Sequence, residues 1–347
     1  MKKIAIFLGV PIFAMTAAVT YIWFAHLAAP GPVEEVSFSA ADGAFLTGDL
    51  YLPSGEGPHP AMVALLGSGP EVANDITYRA HAIAFARRGI AVLMYDKRGA
   101  GRSEGDYDSL TMQQVRDDGI AALEYVRTRS DIDGDRIGLM GYSEGAWFTP
   151  EIAVHDGNIA FIVNPVMPAT SRGETIIYES SNELRAEAIS EDEIAQAAEL
   201  RRRIWDYYRD AGMASDTLDD RRAALEAEVD GVRSSSWHSH WSMGVGDYDP
   251  ATYRQWMWEI DYDPAPWLVQ LDAPIMVPLA EKDENIPTDR TIEILSQMAE
   301  EEGLQVEILV LPNRTHSMFR PEAVLNLGYP ADYLPTISSW AAAQVEE

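Results

Sequence analysis

One serine of this chain lies in a pentapeptide whose spacing suits nucleophilic chemistry. Residues 141–145 read Gly-Tyr-Ser-Glu-Gly, the pattern G-x-S-x-G, and they follow a short apolar run at 136–140. The two glycines permit a tight turn from strand to helix, because a β-carbon at either position would strike a neighbouring element. Such a turn would lift the Ser143 hydroxyl above a sheet edge, beside a helix N-terminus that favours developing negative charge. The motif therefore predicts a nucleophilic serine.

A serine hydroxyl is a weak nucleophile at neutral pH and needs a general base. Of the seven histidines, His316 follows an apolar run at 305–311, and loops that leave the carboxyl ends of strands are where ligand sites gather in open α/β sheets. An acid must then orient the imidazole and stabilise the imidazolium. Asp283 is the predicted acid, one of three acidic residues in the loop after the run 274–280. The alternative is that all three are solvated loop charges and another carboxylate serves.

The elements that must position these residues alternate along the chain. Residues 33–52 have the alternating pattern of a β-hairpin, and helical periodicity separates most of the apolar runs, ending in a helix over 321–340. Strand and helix in alternation predict an α/β fold, a mostly parallel twisted sheet flanked by helices. Short apolar runs typical of strands buried on both faces lie at 61–66, 90–95, 136–140, 159–163, 274–280 and 305–311.

Together these motifs resemble the α/β-hydrolase superfamily of serine hydrolases, and within it the esterases and lipases with an inserted helical cap. The resemblance covers residues 33–340 apart from the cap. It rests on the turn around Ser143, on the segment around Asp283, which resembles G-x-x-D-x-x-(V/I)-P, and on His316 after the last strand. The glycine-rich segment 95–103 also resembles a loop of that superfamily. The resemblance implies a catalytic triad of Ser143, His316 and Asp283.

The resemblance also implies an oxyanion hole made by two backbone N–H groups. These would belong to Glu144 and to Ser68, with Gly69 as the second choice for the latter. The chain departs from the superfamily pattern at two places: Leu66 stands where a histidine usually precedes the glycine of this loop, and Ala280 replaces the usual glycine three positions before the acid.

The α/β rhythm stops between about residues 168 and 270, where charged helical stretches at 191–211 and 216–230 precede an aromatic-rich part. The sequence thus predicts a catalytic domain from 31–167 and 271–347, interrupted by a helical cap at 168–270. The aromatic side chains suggest an apolar pocket wall, or alternatively the packing of the cap onto the sheet. They are Trp237, His238, His240, Trp241, Tyr248, Tyr253, Trp256, Trp258, Tyr262 and Trp267.

Residues 1–30 are predicted to form a separate N-terminal segment. Lys2 and Lys3 precede an apolar run over residues 4–29, which has no charged residue apart from His26. The run is long enough to cross a bilayer, and the positive-inside rule would place its start in the cytoplasm. A cleaved signal peptide is the alternative. Both interpretations predict an extracytoplasmic location, periplasmic or secreted, and the first adds an inner-membrane anchor.

The charge balance limits the partners. Asp and Glu number 55 against 26 Lys and Arg, a net charge of −29, and cysteine is absent. Such a surface repels phosphate backbones, so nucleic acid is excluded as a partner, and membrane contact is expected only through the N-terminal segment. Acyl transfer by a serine needs no metal and no organic cofactor. The expected partner is a small, neutral acyl ester.

Three functions remain open from the sequence. The first is hydrolysis of a carboxylic ester through an acyl-enzyme. The second is a peptidase or aminopeptidase of the prolyl-oligopeptidase type, although such enzymes usually carry a large N-terminal propeller and only residues 30–60 precede the first core strand here. The third is a non-catalytic binding module on the same fold, which an intact triad disfavours.

Overall fold

The computed structural model describes residues 15–211, 218–235, 237–238 and 257–346, and an eight-stranded sheet forms the centre of this part of the chain. Its strands are β1 (Val33–Ser39), β2 (Phe45–Tyr51), β3 (His59–Leu65), β4 (Ala91–Tyr95), β5 (Ile132–Gly141), β6 (Ile162–Val163), β7 (Ile275–Ala280) and β8 (Val306–Leu311). Their spatial order is β1-β2-β4-β3-β5-β6-β7-β8. β2 is antiparallel to both of its neighbours and the other pairs are parallel. The predicted fold class is confirmed.

The parallel strands are apolar because both faces of the sheet are covered. Every residue of β4 and of β7 is buried. Successive side chains of a strand point to opposite faces, and in β3 Val63 and Leu65 enter one apolar cluster whereas Met62 and Ala64 enter another. β1 instead alternates buried and exposed residues over its second half, as a strand near a sheet edge does.

Helices pack on both faces and also form the segment between β6 and β7. In the described residues they include α1 (Ile76–Ala86), α2 (Met112–Arg127), α3 (Glu144–Asp156), α4 (Arg172–Ala186), α5 (Glu191–Ala211), α6 (Leu218–Val232), α7 (Ala265–Leu268), α8 (Thr288–Glu301) and α9 (Tyr333–Ala343). Local signals set several of their starts. Thr111, for example, caps α2 through a reciprocal pair of bonds with Gln114.

α4, α5 and α6 lie where the sequence predicts an inserted cap. Although α5 and α6 are rich in charge, each has an apolar face, and these faces pack together into a separate cluster. Large side chains at its centre are Leu184, Ile204, Trp205, Tyr208 and Trp237. The inserted helices therefore have a small core of their own.

The aromatic residues of the insertion that the structure describes serve packing. Tyr262 and Trp258 join the core under the sheet, with ring centroids 5.5 Å apart, and Trp267 lies 4.9 Å from the ring of His155. Five other aromatic residues for which the sequence predicts a pocket wall or cap packing lie outside the described residues, namely His240, Trp241, Tyr248, Tyr253 and Trp256.

The prediction of a membrane-spanning helix over residues 4–29 is wrong for the part of that run which the structure describes. Residues 15–22 are α-helical and Trp23–Leu27 form a π-helical turn. No helix in the described ranges is long and apolar enough to cross a membrane. The Arg87 guanidinium, which donates to the carbonyls of Phe24 and Ala28 at 2.8 and 2.9 Å, holds the segment against the end of α1.

The chain after His316 also differs from its prediction. The single helix expected over 321–340 is a 3₁₀ segment, Pro321–Asn326, followed by α9. Leu327 and Gly328 adopt left-handed backbone conformations, with φ of 53° and 82°. Pro330, which has no N–H to donate, separates them from α9. The β6 strand, predicted over 159–163, is limited to its last two residues.

A buried histidine makes the stability of this fold sensitive to acid. His81 of α1 is fully buried; its Nδ1–H donates to the Thr77 carbonyl at 2.8 Å, and its Nε2 lies 3.1 Å from the Tyr333 hydroxyl. Burial lowers the pKa of His81 from 6.5 to about 4. Between these values the unfolded chain binds a proton that the folded chain does not, so stability is lost as the pH falls through this window.

We therefore expect His81 to remove about 3 kcal/mol from the free energy of unfolding between pH 6.5 and pH 4. Denaturant titrations of the parent and of His81→Gln across this range would measure it, since glutamine does not ionise. The variant should lose less stability on acidification than the parent. An equal loss in both proteins would contradict the prediction.

Candidate active site

The turn between β5 and α3 holds Ser143 in an uncommon backbone conformation. Its φ is 51° and its ψ is −111°, a left-handed value that a non-glycine residue adopts only when its surroundings impose it. Those surroundings leave no room for side chains at the flanking glycines. A β-carbon on Gly145 would lie 2.4 Å from the Leu65 carbonyl oxygen of β3, and one on Gly141 would lie 2.5 Å from Ala146 Cα. The glycines therefore have the role that the sequence predicts for them.

The loops after β7 and β8 bring the other two predicted residues to this turn. His316 Nε2 lies 3.0 Å from Ser143 Oγ, and His316 Nδ1 lies 2.9 and 3.0 Å from the two carboxylate oxygens of Asp283. β5, β7 and β8 run parallel to one another in the sheet, so the loops that carry the three side chains leave it at the same edge. The structure thus unites residues that lie 140 and 33 positions apart in the chain.

Asp283 is oriented by its own loop. One carboxylate oxygen accepts the N–H groups of Asn285 and Ile286 at 2.9 and 2.8 Å, and the side chain is wholly buried. Glu284 points elsewhere, since its carboxylate accepts the backbone N–H of His316 at 3.0 Å. Two carboxylates of one loop therefore hold the ring and the main chain of the same histidine.

Helix α4 adds two further contacts to this loop. The Tyr178 hydroxyl donates to the Asp283 carbonyl at 3.0 Å, and the Asn182 side-chain amide donates to the Glu284 carbonyl at 2.8 Å. The sequence does not reveal these contacts, because neither residue lies in a recognisable motif. They connect the inserted segment directly to the loop that carries the acid.

The hydrogen bonds of the first loop separate the two candidates for its oxyanion donor. The Gly69 N–H donates to the Tyr107 hydroxyl at 2.9 Å and is therefore occupied. In the part of the chain that the structure describes, the N–H groups of Ser68 and Glu144 have no acceptor. Ser68 lies beside Ser143 in both of the cavities that open there.

Two cavities flank Ser143. The larger, of about 500 Å³, is lined by tyrosine and phenylalanine rings and by the carboxylates of Glu71, Asp75 and Glu284, and none of the described residues around it is a lysine or arginine. The smaller, of about 100 Å³, extends towards Trp147 and α4. None of the insertion's described aromatic residues lines either cavity. In the described ranges no three histidine or acidic side chains are grouped as a metal site requires.

Two charged residues at the site were missed from the sequence. Lys97, in the glycine-rich segment after β4, has a buried ammonium that pairs with Glu144 at 2.5 Å. Glu179 of α4 lines the smaller cavity and makes no hydrogen bond to any described residue. Burial and the nearby charge of Glu183 raise the pKa of the Glu179 carboxyl. The helical spacing of α4 could have placed Glu179 on one face of a helix, but only the fold shows that this face is turned towards the site.

Comparisons with known proteins identify the family of this chain. Residues 42–318 match the model of the X-Pro dipeptidyl-peptidase (S15) family. Esterase EstD of Thermotoga maritima is 33% identical over 150 residues, 40% of this chain and 35% of EstD. Thiohydrolase aneE of Aspergillus aculeatus is 32% identical over 145 residues, 41% of this chain and 44% of aneE. The chain thus spans less than half the length of these two curated relatives.

Solved structures share the fold at low sequence identity. The Pyrococcus furiosus esterase Pf2001 superposes with a TM-score of 0.54 at 14% identity, over 89% of this chain and 91% of that one. The α/β-hydrolase GrgF from Penicillium sp. sh18 superposes with a TM-score of 0.53 at 21% identity, over 89% of this chain and all of GrgF. These likenesses concern the fold alone.

Proposed function

Since the chain belongs to the X-Pro dipeptidyl-peptidase (S15) family, whose fold is that of the α/β-hydrolase superfamily of serine hydrolases, we propose that it hydrolyses neutral carboxylic esters through a triad of Ser143, His316 and Asp283. The observation that carries the proposal is the 3.0 Å contact between Ser143 Oγ and His316 Nε2. A base within this distance of a hydroxyl can remove its proton as the hydroxyl attacks. The names of the esterase and thiohydrolase relatives support hydrolysis of an ester over cleavage of a peptide.

The reaction would proceed in two steps. Ser143 attacks the acyl carbon while its proton passes to His316 Nε2, and Asp283 stabilises the resulting imidazolium through Nδ1–H. The N–H groups of Ser68 and Glu144 bind the oxyanion, and loss of one such donor costs about 3–4 kcal/mol in comparable enzymes. His316 then protonates the leaving alcohol, and water deacylates the serine with the same base.

The electrostatics of the larger cavity support a neutral substrate. Three carboxylates line it without a lysine or arginine among the described lining residues. Burial and the charge of Asp75 raise the pKa of the Glu71 carboxyl, because both disfavour a further negative charge at this place. A substrate carboxylate would add to this repulsion, whereas an uncharged ester would not.

A substrate panel on the full chain tests the proposal. p-Nitrophenyl esters of increasing acyl length are compared with X-Pro p-nitroanilides, and labelling by a fluorophosphonate reports a reactive serine. We expect ester hydrolysis and labelling. Cleavage of the anilides without ester hydrolysis would replace this function with the peptidase, and absence of both activities together with absence of labelling would reject a serine hydrolase.

Glu179 favours the peptidase as the second candidate function. Its carboxylate has no hydrogen-bond partner among the described residues and lies in the small cavity beside Ser143. A half-buried carboxylate without a partner would gain one from the α-ammonium of a peptide substrate. Arg172, the one basic residue in the described lining of this cavity, is already paired with Glu259 at 3.1 Å.

The variant Glu179→Gln separates the two functions. If the protein is an esterase, kcat/KM for a neutral p-nitrophenyl ester should change by less than about 3-fold, because no charge on the ester meets the carboxylate. If it is a peptidase, kcat/KM for an X-Pro p-nitroanilide should fall by about 30-fold or more. The N-acetylated anilide is the matched control, since it lacks the ammonium. Loss of ester hydrolysis in Glu179→Gln would contradict the proposal that the protein hydrolyses neutral esters without help from this carboxylate.

A further inference from the structure

Hydrogen bonds hold the backbone of the Ser68 loop on both sides of that serine. The Gly67 N–H donates to the Tyr78 hydroxyl at 3.2 Å, and the Gly69 N–H donates to the Tyr107 hydroxyl at 2.9 Å. The N–H of Ser68, between them, has no acceptor among the described residues. Two flanking glycines would by themselves leave the intervening peptide units free to rotate. The direction of the Ser68 N–H must therefore be set from outside the loop.

Lys97 makes the contact that sets this direction. Its ammonium donates to the Gly67 carbonyl at 2.9 Å and to the Glu144 carboxylate at 2.5 Å, and its side chain is only 5% exposed. Its backbone N–H donates to the Glu71 carbonyl at 3.0 Å. Lys97 thus binds the loop at the carbonyls of Gly67 and Glu71. It also binds the side chain of Glu144, the residue after the nucleophile.

The Gly67 carbonyl and the Ser68 N–H belong to one peptide unit. This unit is trans, since the one cis bond of the described residues joins Gly57 and Pro58. In a planar trans peptide the C=O and the N–H point in opposite directions. An ammonium that holds the carbonyl on one side therefore aims the N–H towards the other. The reverse orientation would place a carbonyl oxygen against the oxyanion.

We propose that Lys97 is a positioning residue that aligns the two oxyanion donors of this hydrolase, Ser68 N–H through the Gly67 carbonyl and Glu144 N–H through the Glu144 side chain. The proposal rests on the proposed function, because it concerns the same oxyanion. It also explains how the loop is held although Leu66 stands where a histidine usually precedes the glycine. The ammonium of Lys97, from the neighbouring segment, binds the loop instead. Lys97 does not touch the substrate.

The test compares Lys97→Met, Glu144→Gln and their double variant in the full chain. Two matched ligands are used, a trifluoromethyl ketone and the corresponding carbinol. Ser143 adds to the ketone and forms an alkoxide in the oxyanion hole, whereas the carbinol has the same shape and forms none. For Lys97→Met we expect kcat for a p-nitrophenyl ester to fall about 100-fold, the effect of losing one donor. KM should stay within about 3-fold, and the ketone Ki should rise by the same factor as kcat falls while the carbinol Ki does not change.

The double variant separates positioning from stability. Removing Lys97 alone leaves the Glu144 carboxylate, whose side chain is only 14% exposed, without its partner, which destabilises a protein, whereas the double variant removes both charges. Thermal stability should recover in the double variant, but kcat and the ketone Ki should not. Recovery of kcat together with stability would show a merely structural pair and overturn the proposal, as would an unchanged ketone Ki in either lysine variant. A parent protein that neither hydrolyses the ester nor binds the ketone would instead overturn the proposed function.

Discussion

Replacement of Ser143 with alanine is expected to lower kcat for ester hydrolysis by about 10⁶-fold. The Ser143 oxygen would carry the acyl group of the acyl-enzyme. Among the described residues, no other hydroxyl group lies within hydrogen-bonding distance of the His316 ring. The residual rate would come from the oxyanion donors and from substrate binding. Steady-state hydrolysis of a p-nitrophenyl ester and labelling by a fluorophosphonate would measure the loss.

Ser317 provides the matched control for this variant. It lines the same cavity, but its hydroxyl accepts the Phe319 N–H at 3.3 Å instead of contacting the histidine ring. Ser317→Ala should keep kcat within about 10-fold of the parent and should still be labelled. Circular dichroism should show both variants folded. Retention of labelling in folded Ser143→Ala would place the nucleophile elsewhere.

Replacement of Asp283 with asparagine is the second large effect, a fall in kcat of about 10⁴-fold. The carboxylate accepts Nδ1–H of His316 and two backbone N–H groups. In the variant the amide oxygen would accept the two backbone N–H groups, and the amide N–H₂ would turn to Nδ1. The imidazole would then carry its proton on Nε2, facing Ser143. This nitrogen could not accept the proton of the serine hydroxyl.

The control for the acid is Glu284→Gln. Glu284 contacts the main chain of His316 and not its ring, so the loss should stay below about 10-fold. The pair also tests the alternative that another loop carboxylate serves as the acid. A larger loss of kcat in Glu284→Gln than in Asp283→Asn would decide for that alternative.

The strands of the sheet and their connecting loops follow from the sequence because their signal is local. A run such as residues 90–95 is apolar throughout, and both faces of β4 are indeed covered. Once the strands are assigned, parallel topology places the loops after β5, β7 and β8 at one edge. The convergence of Ser143, Asp283 and His316 could be expected for this reason.

Contacts between distant positions could not be predicted in the same way. Lys97 and Glu144 lie 47 residues apart, and nothing in the pattern around either one indicates the other. The predicted C-terminal helix includes Gly328 and Pro330, but the left-handed backbone at Gly328 and the missing N–H of Pro330 divide it into two segments.

The two hydrogen bonds from α4 to the acid loop have a consequence for engineering. A chimaera that exchanges the inserted segment between β6 and β7 would leave the sheet register intact, yet it would remove the donors supplied by Tyr178 and Asn182. The graft would have to bring equivalent donors, or the recipient scaffold would lose two restraints on the main chain that carries its carboxylate. An exchange of this segment would therefore change the support of the Asp283 loop together with the lining of the smaller cavity, to which α4 contributes.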